Sequence, residues 1–164
     1  MAYLLDANVS IESKKRWLGL DFCPAFWDWL DAGNAANRVF SIEKVADEIA
    51  AGADELSEWA AARQKRMFLP VEPAMLDALR TVTAWVTGQP YLPRAVTTFF
   101  EGADYYLVGQ ALALGYTVVT LEKPEARLSR VKIPDACVAL GVRYVSPFEM
   151  LRNERARFVL GATA

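Results

Sequence analysis

The sequence predicts an α/β fold in which helices cover both faces of a central parallel sheet. Short apolar segments, each the length of a buried strand, alternate with longer segments that repeat apolar residues at helical spacing. Two of these strands end in an acidic residue, Asp6 and Glu122. In open parallel sheets, ligands bind at the carboxyl ends of the strands. We therefore predict a three-layer α/β/α sandwich with a candidate site at that edge of the sheet.

The composition is that of one globular domain. The chain has 164 residues, of which 54% are hydrophobic and 23% are charged, enough for a sizeable core. We predict a single domain over residues 1–164. The sequence has no apolar stretch of the roughly 18 residues that span a bilayer, and its start does not resemble a signal peptide. We therefore expect a cytoplasmic protein without a membrane partner.

The chain has no histidine, and this restricts its chemistry. Ser-His-Asp and Cys-His nucleophilic machinery is excluded, and so are the usual imidazole zinc sites. The two cysteines, Cys23 and Cys137, are too few for a disulfide framework. Catalysis would have to use carboxylates, metal-bound water, or the side chains of Lys, Tyr, Ser or Thr.

The first third of the chain contains two predicted strands. An uninterrupted apolar run predicts a buried strand over residues 2–6. A loop or short helix follows over 9–17. Pro24 suits the first turn of the next helix, which we expect to end near Gly33. The pattern at 38–41 predicts a second strand more weakly.

The middle of the chain is mostly helical. Ser41 is a favoured N-cap residue, and apolar residues at helical spacing predict a helix that starts there and ends at Gly52. Asp54 is positioned to cap the helix that follows. Residues 67–69 indicate a strand, and a helix is predicted over 73–86, beginning at a proline.

The last third returns to regular alternation of helices and strands. Helices are predicted over 94–100 and 103–114, and the second ends at Gly115, a left-handed C-cap position. A buried strand follows over 116–121. The remaining elements are a short helix over 134–141, a strand over 142–145 and a final helix capped by Ser146.

Four acidic residues are candidates for one site. Asp6 and Glu122 end strands, Asp104 begins an apolar helix, and Glu48 lies beside the apolar stripe of the 41–52 helix. Each also has a structural explanation, as a turn or cap residue or as part of a solvated helix face. If they converge, their mutual repulsion favours a divalent cation, and oxygen ligands suit Mg²⁺ or Mn²⁺. Such an ion can activate water for in-line attack on a phosphodiester.

Several motifs resemble those of a known family. Residues 4–9 (LLDANV) resemble the opening motif of PIN-domain nucleases, and residues 103–111 and 115–122 resemble their later acidic helix and strand. The run Thr120-Leu121-Glu122-Lys123-Pro124, with residues 24–30 and 133–137, is similar to the PIN-like family DUF4411. The resemblance extends from residue 2 to about 151. It implies a PIN fold and a metal-dependent ribonuclease, a class that includes many VapC-like toxins of toxin–antitoxin pairs.

The resemblance also implies roles for individual residues. The acidic set Asp6, Glu48, Asp104 and Glu122 would be catalytic, with Mg²⁺ or Mn²⁺ as the cofactor. Asp6, Asp104 and Glu122 would hold the metal, and Glu48 would hold it or orient the attacking water. The usual fourth acid is Asp, so Glu122 departs from the pattern and could alter the metal geometry. The supporting polar positions would be Asn8 and Thr120.

Basic residues follow both acidic strand ends. If the strand ends are adjacent, a cationic rim there would suit a phosphate backbone, although ordinary solvated charge is the structural alternative. The net charge of −2 gives the whole chain no basic field. The candidate substrate-binding residues are Lys14, Lys15, Arg16, Lys123, Arg127 and Arg130.

We predict a metal-dependent endoribonuclease with an RNA substrate and a protein antitoxin, and we also expect that it could form a homodimer. The alternative is a catalytically inactive PIN-like module that binds RNA or a protein, which the departure at Glu122 and the negative net charge favour slightly. A phosphatase of the haloacid dehalogenase type would need a second Asp two residues after Asp6, where the chain has Asn8.

Overall fold

The computed structural model describes residues 1–161 and has the α/β architecture that the sequence predicts. Its strands are short, and one forms in each region where the sequence predicts a strand. They are Tyr3–Leu5 (β1), Val39–Ile42 (β2), Phe68–Leu69 (β3), Thr117–Val119 (β4) and Tyr144–Val145 (β5). Over the described residues these strands form one five-stranded sheet in the order β3-β2-β1-β4-β5, and every pair is parallel. The predicted fold with a central parallel sheet is therefore confirmed.

Helices flank this sheet. A π-helical turn follows the first of them, and a 3₁₀ turn precedes the sixth. Over the described residues the α-helices are Ala7–Glu12 (α1), Pro24–Ala35 (α2), Glu43–Ala50 (α3), Glu55–Ala61 (α4), Gln64–Met67 (α5), Leu76–Thr87 (α6), Pro93–Glu101 (α7), Ala103–Leu114 (α8), Ile133–Leu140 (α9) and Pro147–Asn153 (α10). In this part of the chain no helix has the length and apolar character needed to cross a membrane.

Strand β1 is the centre of the sheet. All three of its residues are buried, and it pairs with β2 on one side and β4 on the other. The ladder continues one residue past its end, because the N–H of Asp6 donates to the carbonyl of Val119 at 2.9 Å. The backbone of Asp6 is therefore fixed at the carboxyl edge of the sheet.

The prediction that Ser41 caps a helix is wrong. Ser41 lies inside β2 and is buried, and its hydroxyl donates to the carbonyl of Leu5 at 2.6 Å. Helix α3 begins at Glu43, with Ile42 at the N-cap position and no side-chain cap. A buried hydroxyl needs a hydrogen-bond partner, and here the carbonyl of Leu5 in the neighbouring strand supplies it.

Other predicted helix ends are confirmed. Asp54 and Ser146 each form a capping box with the residue three positions later. Gly115 and Gly141 follow α8 and α9 with φ of +68° and +69°, the left-handed conformation that glycine adopts without strain. The predicted end near Gly33 is too early, since α2 continues to Ala35.

Helix α8 packs closely against α6. A Cβ atom at Gly109 would overlap Cδ2 of Leu79, so a larger residue at this crossing would force the Leu79 side chain to move. The helix is buried along much of its length. This contact sets the position of the α8 N-terminus, where Asp104 lies.

We expect Gly109→Ala to destabilise the protein. Overpacking costs about 1–3 kcal/mol, and the better helix propensity of alanine returns only about 0.5–1 kcal/mol. Chemical denaturation would measure the loss in the free energy of unfolding. In a Leu79→Ala background the same change should cost little, because the clashing methyl group is gone. An equal cost in both backgrounds would contradict this account.

Candidate active site

A cavity of about 450 Å³ lies at the carboxyl ends of the central strands. Its walls come from distant parts of the chain: the end of β1, helices α3, α7 and α8, and the loop before α9. Three carboxylates, one carboxamide and two guanidinium groups line it. They belong to Asp6, Glu48, Asp104, Asn8, Arg94 and Arg130.

Asp6 is the most buried of these acids, with only 3% of its surface exposed. Its Oδ2 accepts a hydrogen bond from the hydroxyl of Thr120 at 2.9 Å, and that hydroxyl accepts one from the N–H of Glu122 at 3.1 Å. The pKa of Asp6 is raised to about 6, mainly by burial and in addition by the charges of Glu122 and Glu48, although the hydrogen bond from Thr120 lowers it. The carboxylate is thus held in place in a setting that resists its ionisation.

Asp104 is the second residue of α8. Its pKa is raised to about 7, mainly by burial and in addition by repulsion from Asp6, Glu122 and Glu48. The positive charge of Arg130 acts in the opposite direction. Asp104 therefore shares a negatively charged environment with Asp6, without enough positive charge nearby to offset it.

Glu48 connects α3 to the start of α8. Its Oε1 accepts a hydrogen bond from the N–H of Ala103, the first residue of α8, at 3.2 Å. The first N–H groups of a helix have no partner within the helix, so this bond satisfies one of them. The structure thus places Glu48 beside Asp104, although no sharp sequence motif surrounds it.

The structure does not bring Glu122 into the walls of this cavity. Its side chain is only 7% exposed, and it pairs with Arg130 at 2.6 Å and Lys132 at 3.5 Å. Its Oε2 also accepts the N–H of Ile133 at 2.9 Å. Glu122 lies in a neighbouring cleft that shares Asn8 and Arg130 with the cavity. Its role as a metal ligand stays a prediction.

The acids that line the cavity are candidates for a metal site. Across residues 1–161, no group of three or more Asp, Glu or Cys side chains is arranged to hold a metal. Asp6, Glu48 and Asp104 supply only oxygen donors, which is the donor type that Mg²⁺ and Mn²⁺ accept. Metal binding at this site stays a prediction.

Most of the predicted substrate-binding cations lie elsewhere. Arg130 lines the cavity, and Lys123 lines the neighbouring cleft. Lys14 pairs with Asp54 at 2.6 Å. The other three do not line the cavity: Lys15 is exposed, Arg16 pairs with Glu12 and Arg127 pairs with Glu125.

Sequence reasoning missed Arg94. This residue follows Pro93 in the first turn of α7, is exposed and lines the cavity. In residues 1–161 it makes no ion pair within 4 Å. A cation in the first turn of a helix opposes the helix dipole, and this unfavourable placement was the signal in the sequence that could have identified it.

A family model matches nearly the whole chain. The family is DUF4411, described as a domain of unknown function, and the match covers residues 3–158. No curated protein sequence matches the chain.

The fold is similar to that of a solved structure. A chain in the crystal structure of VapBC2 from Rickettsia felis, bound to a DNA fragment from their promoter, superposes with a TM-score of 0.51. The two sequences are 13% identical, and the match covers 74% of this chain and 88% of that chain. At this level of identity the similarity concerns the fold.

We expect Asp104→Asn to stabilise the metal-free protein above neutral pH. Because the pKa of Asp104 is raised to about 7, its carboxyl group binds a proton more tightly in the folded state than in the unfolded state. Stability is therefore lost as the pH rises from about 4 to about 7. Replacing the acid should add about 1–3 kcal/mol to the free energy of unfolding at pH 8 and only about a quarter of that at pH 4.5.

Urea denaturation with a chelator at several pH values would measure this difference. Asp77→Asn is the matched control, because the side chain of Asp77 is 91% exposed on α6. A stability gain that does not change with pH would show that burial and repulsion at Asp104 are not its cause.

Proposed function

The chain belongs to the DUF4411 family, and we propose that it is a metal-dependent endoribonuclease that cleaves RNA phosphodiester bonds. One observation carries the proposal: Asp6, Glu48 and Asp104 line one cavity at the carboxyl edge of the parallel sheet. These residues come from three separate segments of the chain.

The residues fit a hard divalent cation. Asp6 is buried and Asp104 is half-buried. They repel each other and both have raised pKa values, and a cation held by these carboxylates would remove that repulsion. All the acidic donors are oxygens, as Mg²⁺ and Mn²⁺ prefer. Asp6 and Asp104 are the residues that would hold the ion. When bound, it would lower the pKa of a coordinated water and stabilise charge on the reacting phosphate.

The protein supplies the orientation. Thr120 holds one oxygen of Asp6 through its hydroxyl, which fixes the direction of that carboxylate. Glu48 is held through Oε1 by the N–H of Ala103. Within the described residues its Oε2 accepts no hydrogen bond, so it can accept one from the attacking water. These side chains are positioned before substrate arrives, and such preorganisation lowers the barrier to reaction.

The proposal extends to a toxin role. The fold neighbour was solved as part of the VapBC2 complex, which supports a protein antitoxin as a partner of this chain. The homodimer, the cytoplasmic location and the contacts of Lys14, Lys15, Arg16, Lys123 and Arg127 with RNA stay predictions from the sequence.

We expect the purified protein to cleave RNA in Mn²⁺ or Mg²⁺ and to lose this activity in EDTA. Asp104→Asn should reduce the cleavage rate at least about 100-fold, because one of the two ligand carboxylates is lost. Asp77→Asn should cleave like the wild type. Gel analysis of a mixed RNA pool, with mapping of 5′-phosphate and 3′-hydroxyl ends, is the measurement.

Two results would contradict the nuclease. Cleavage that persists in Asp104→Asn or in EDTA would remove the metal mechanism. A folded wild-type protein that binds RNA without metal and does not cleave it would instead support the binding module.

We expect Arg94→Ala to weaken substrate binding more than turnover. The Arg94 guanidinium lines the cavity and has no ion pair among residues 1–161, so it can donate to a phosphate. KM should rise about 3- to 10-fold. The slope of log affinity against log salt concentration should decrease by the amount expected for about one phosphate contact. Arg94→Lys should retain part of the affinity. Arg80→Ala, at an exposed position on α6, is the control, and an equal effect there would contradict a local role for Arg94.

A further inference from the structure

The carboxylate of Glu122 has nearly all of its bonding capacity occupied. Its Oε1 accepts hydrogen bonds from the side chains of Arg130 at 2.6 Å and Lys132 at 3.5 Å. Its Oε2 accepts one from the backbone N–H of Ile133 at 2.9 Å. Ile133 is the first residue of α9, so its N–H has no acceptor within the helix. Two cations and a helix terminus surround a single acid.

Asp6 and Asp104 differ from Glu122 in this respect. Asp6 accepts one side-chain hydrogen bond, from a neutral hydroxyl, and no salt bridge within 4 Å reaches either aspartate among residues 1–161. A divalent cation gains most where negative charge is uncompensated. To reach Glu122 it would have to break the Arg130 pair and uncap α9, which costs the strong bonds of a mostly buried carboxylate.

Within the described residues, Arg130 has an acidic partner on one side of its guanidinium and none on the other. Its side chain is 56% exposed, and it lines both the cavity and the neighbouring cleft. Nη2 of the guanidinium donates to Glu122, and an arginine has five N–H donors in a planar fork. The other donors remain available to an anionic group in the cavity.

The loop that carries Arg130 is held in place by hydrogen bonds to other parts of the chain. The N–H of Glu125 donates to both carboxylate oxygens of Asp135, at 3.2 and 3.3 Å. The N–H of Leu92 donates to the carbonyl of Leu128 at 2.9 Å, which joins the loop to the start of α7. This irregular segment between β4 and α9 is therefore attached at several points, and its geometry can place a side chain reliably.

We propose that Glu122 is a positioning residue rather than a metal ligand, and that it fixes Arg130 in the cavity wall, where the guanidinium binds a phosphate of the RNA backbone. The cavity contains three carboxylates, which repel a polyanion, so a fixed cation is needed beside them. The assignment of RNA as the bound polyanion rests on the proposed function, whereas the statement that Glu122 is not a ligand does not.

The metal part is tested by titrating Mn²⁺ and following its electron paramagnetic resonance signal, which disappears on binding. Glu122→Gln should keep its Mn²⁺ affinity within about 3-fold of the wild type, whereas Asp104→Asn should lose at least about 10-fold, as expected when one ligand is removed. A loss of affinity in Glu122→Gln equal to that in Asp104→Asn would overturn the proposal.

The RNA part is tested by a double-mutant cycle in the Asp104→Asn background, with fluorescence anisotropy of a short labelled single-stranded RNA. Arg130→Ala should weaken binding about 3- to 10-fold and reduce the salt slope by about 0.7, the share of one phosphate on a single strand. Glu122→Gln should also weaken RNA binding, but by a smaller factor than Arg130→Ala. The double variant should bind no more weakly than Arg130→Ala, because Glu122 acts through that guanidinium. Additive losses would overturn the proposal.

Two further variants separate positioning from a general loss of structure. Arg130→Lys keeps the charge but loses the planar fork, so binding should fall between the wild type and Arg130→Ala. The exposed pair Asp77–Arg80 is the control, and Asp77→Asn and Arg80→Ala should leave the RNA affinity unchanged. If Glu122→Gln does not fold, Arg130→Ala decides the metal part alone. This change releases Glu122 from Arg130, so Mn²⁺ affinity should stay within about 3-fold of the wild type, and a gain of at least about 10-fold, as expected if a ligand were released, would overturn the proposal.

The outcome is independent of nuclease activity. If the wild type cleaves no RNA but the Mn²⁺ titration and the cycle give the expected results, the nuclease proposal fails and the role of Glu122 stands. If the wild type cleaves RNA but Glu122→Gln no longer binds Mn²⁺, the reverse holds.

Discussion

The fold places a carboxylate in the protein interior and keeps it there. Asp6 follows the central strand of the sheet, its N–H continues the ladder to Val119, and its side chain is almost fully buried. The free-energy cost of burying this group is high unless something compensates for its charge. Among the described residues, neutral groups such as the hydroxyl of Thr120 stabilise its charge, and further acids lie close by, so the site favours positive charge.

The N-terminus of α8 depends on the same constraint. The close crossing at Gly109 holds the helix against α6, and Glu48 accepts the first N–H of the helix from outside. Asp104 therefore reaches the cavity from a rigid element rather than from a loop. Local packing and the acidic site are thus parts of one arrangement, since a shift of α8 would move Asp104 and break the bond to Glu48.

Much of this architecture could be predicted from the sequence, because it depends on local patterns. Buried strands appear as apolar runs, and the caps at Asp54, Ser146 and Gly115 are set by neighbouring residues. Ser41 could not be predicted, since its choice between a helix end and the carbonyl of Leu5 is decided by tertiary packing. The engagement of Glu122 by Arg130 depends on the path of an irregular loop, which has no periodicity to recognise. Arg94 reaches the cavity only because α7 packs beside α8.

The absence of histidine gives the two aspartates a further significance. Histidine is the residue whose ordinary pKa lies between pH 5 and 8, and this chain has none. Burial and mutual repulsion raise the pKa values of Asp6 and Asp104 into that range instead, to about 6 and about 7. If the site binds a cation as proposed, protons and metal ions compete for the same oxygens, and ion uptake near neutrality releases protons into solution. The apparent affinity of the proposed site for a cation would then increase with pH near neutrality.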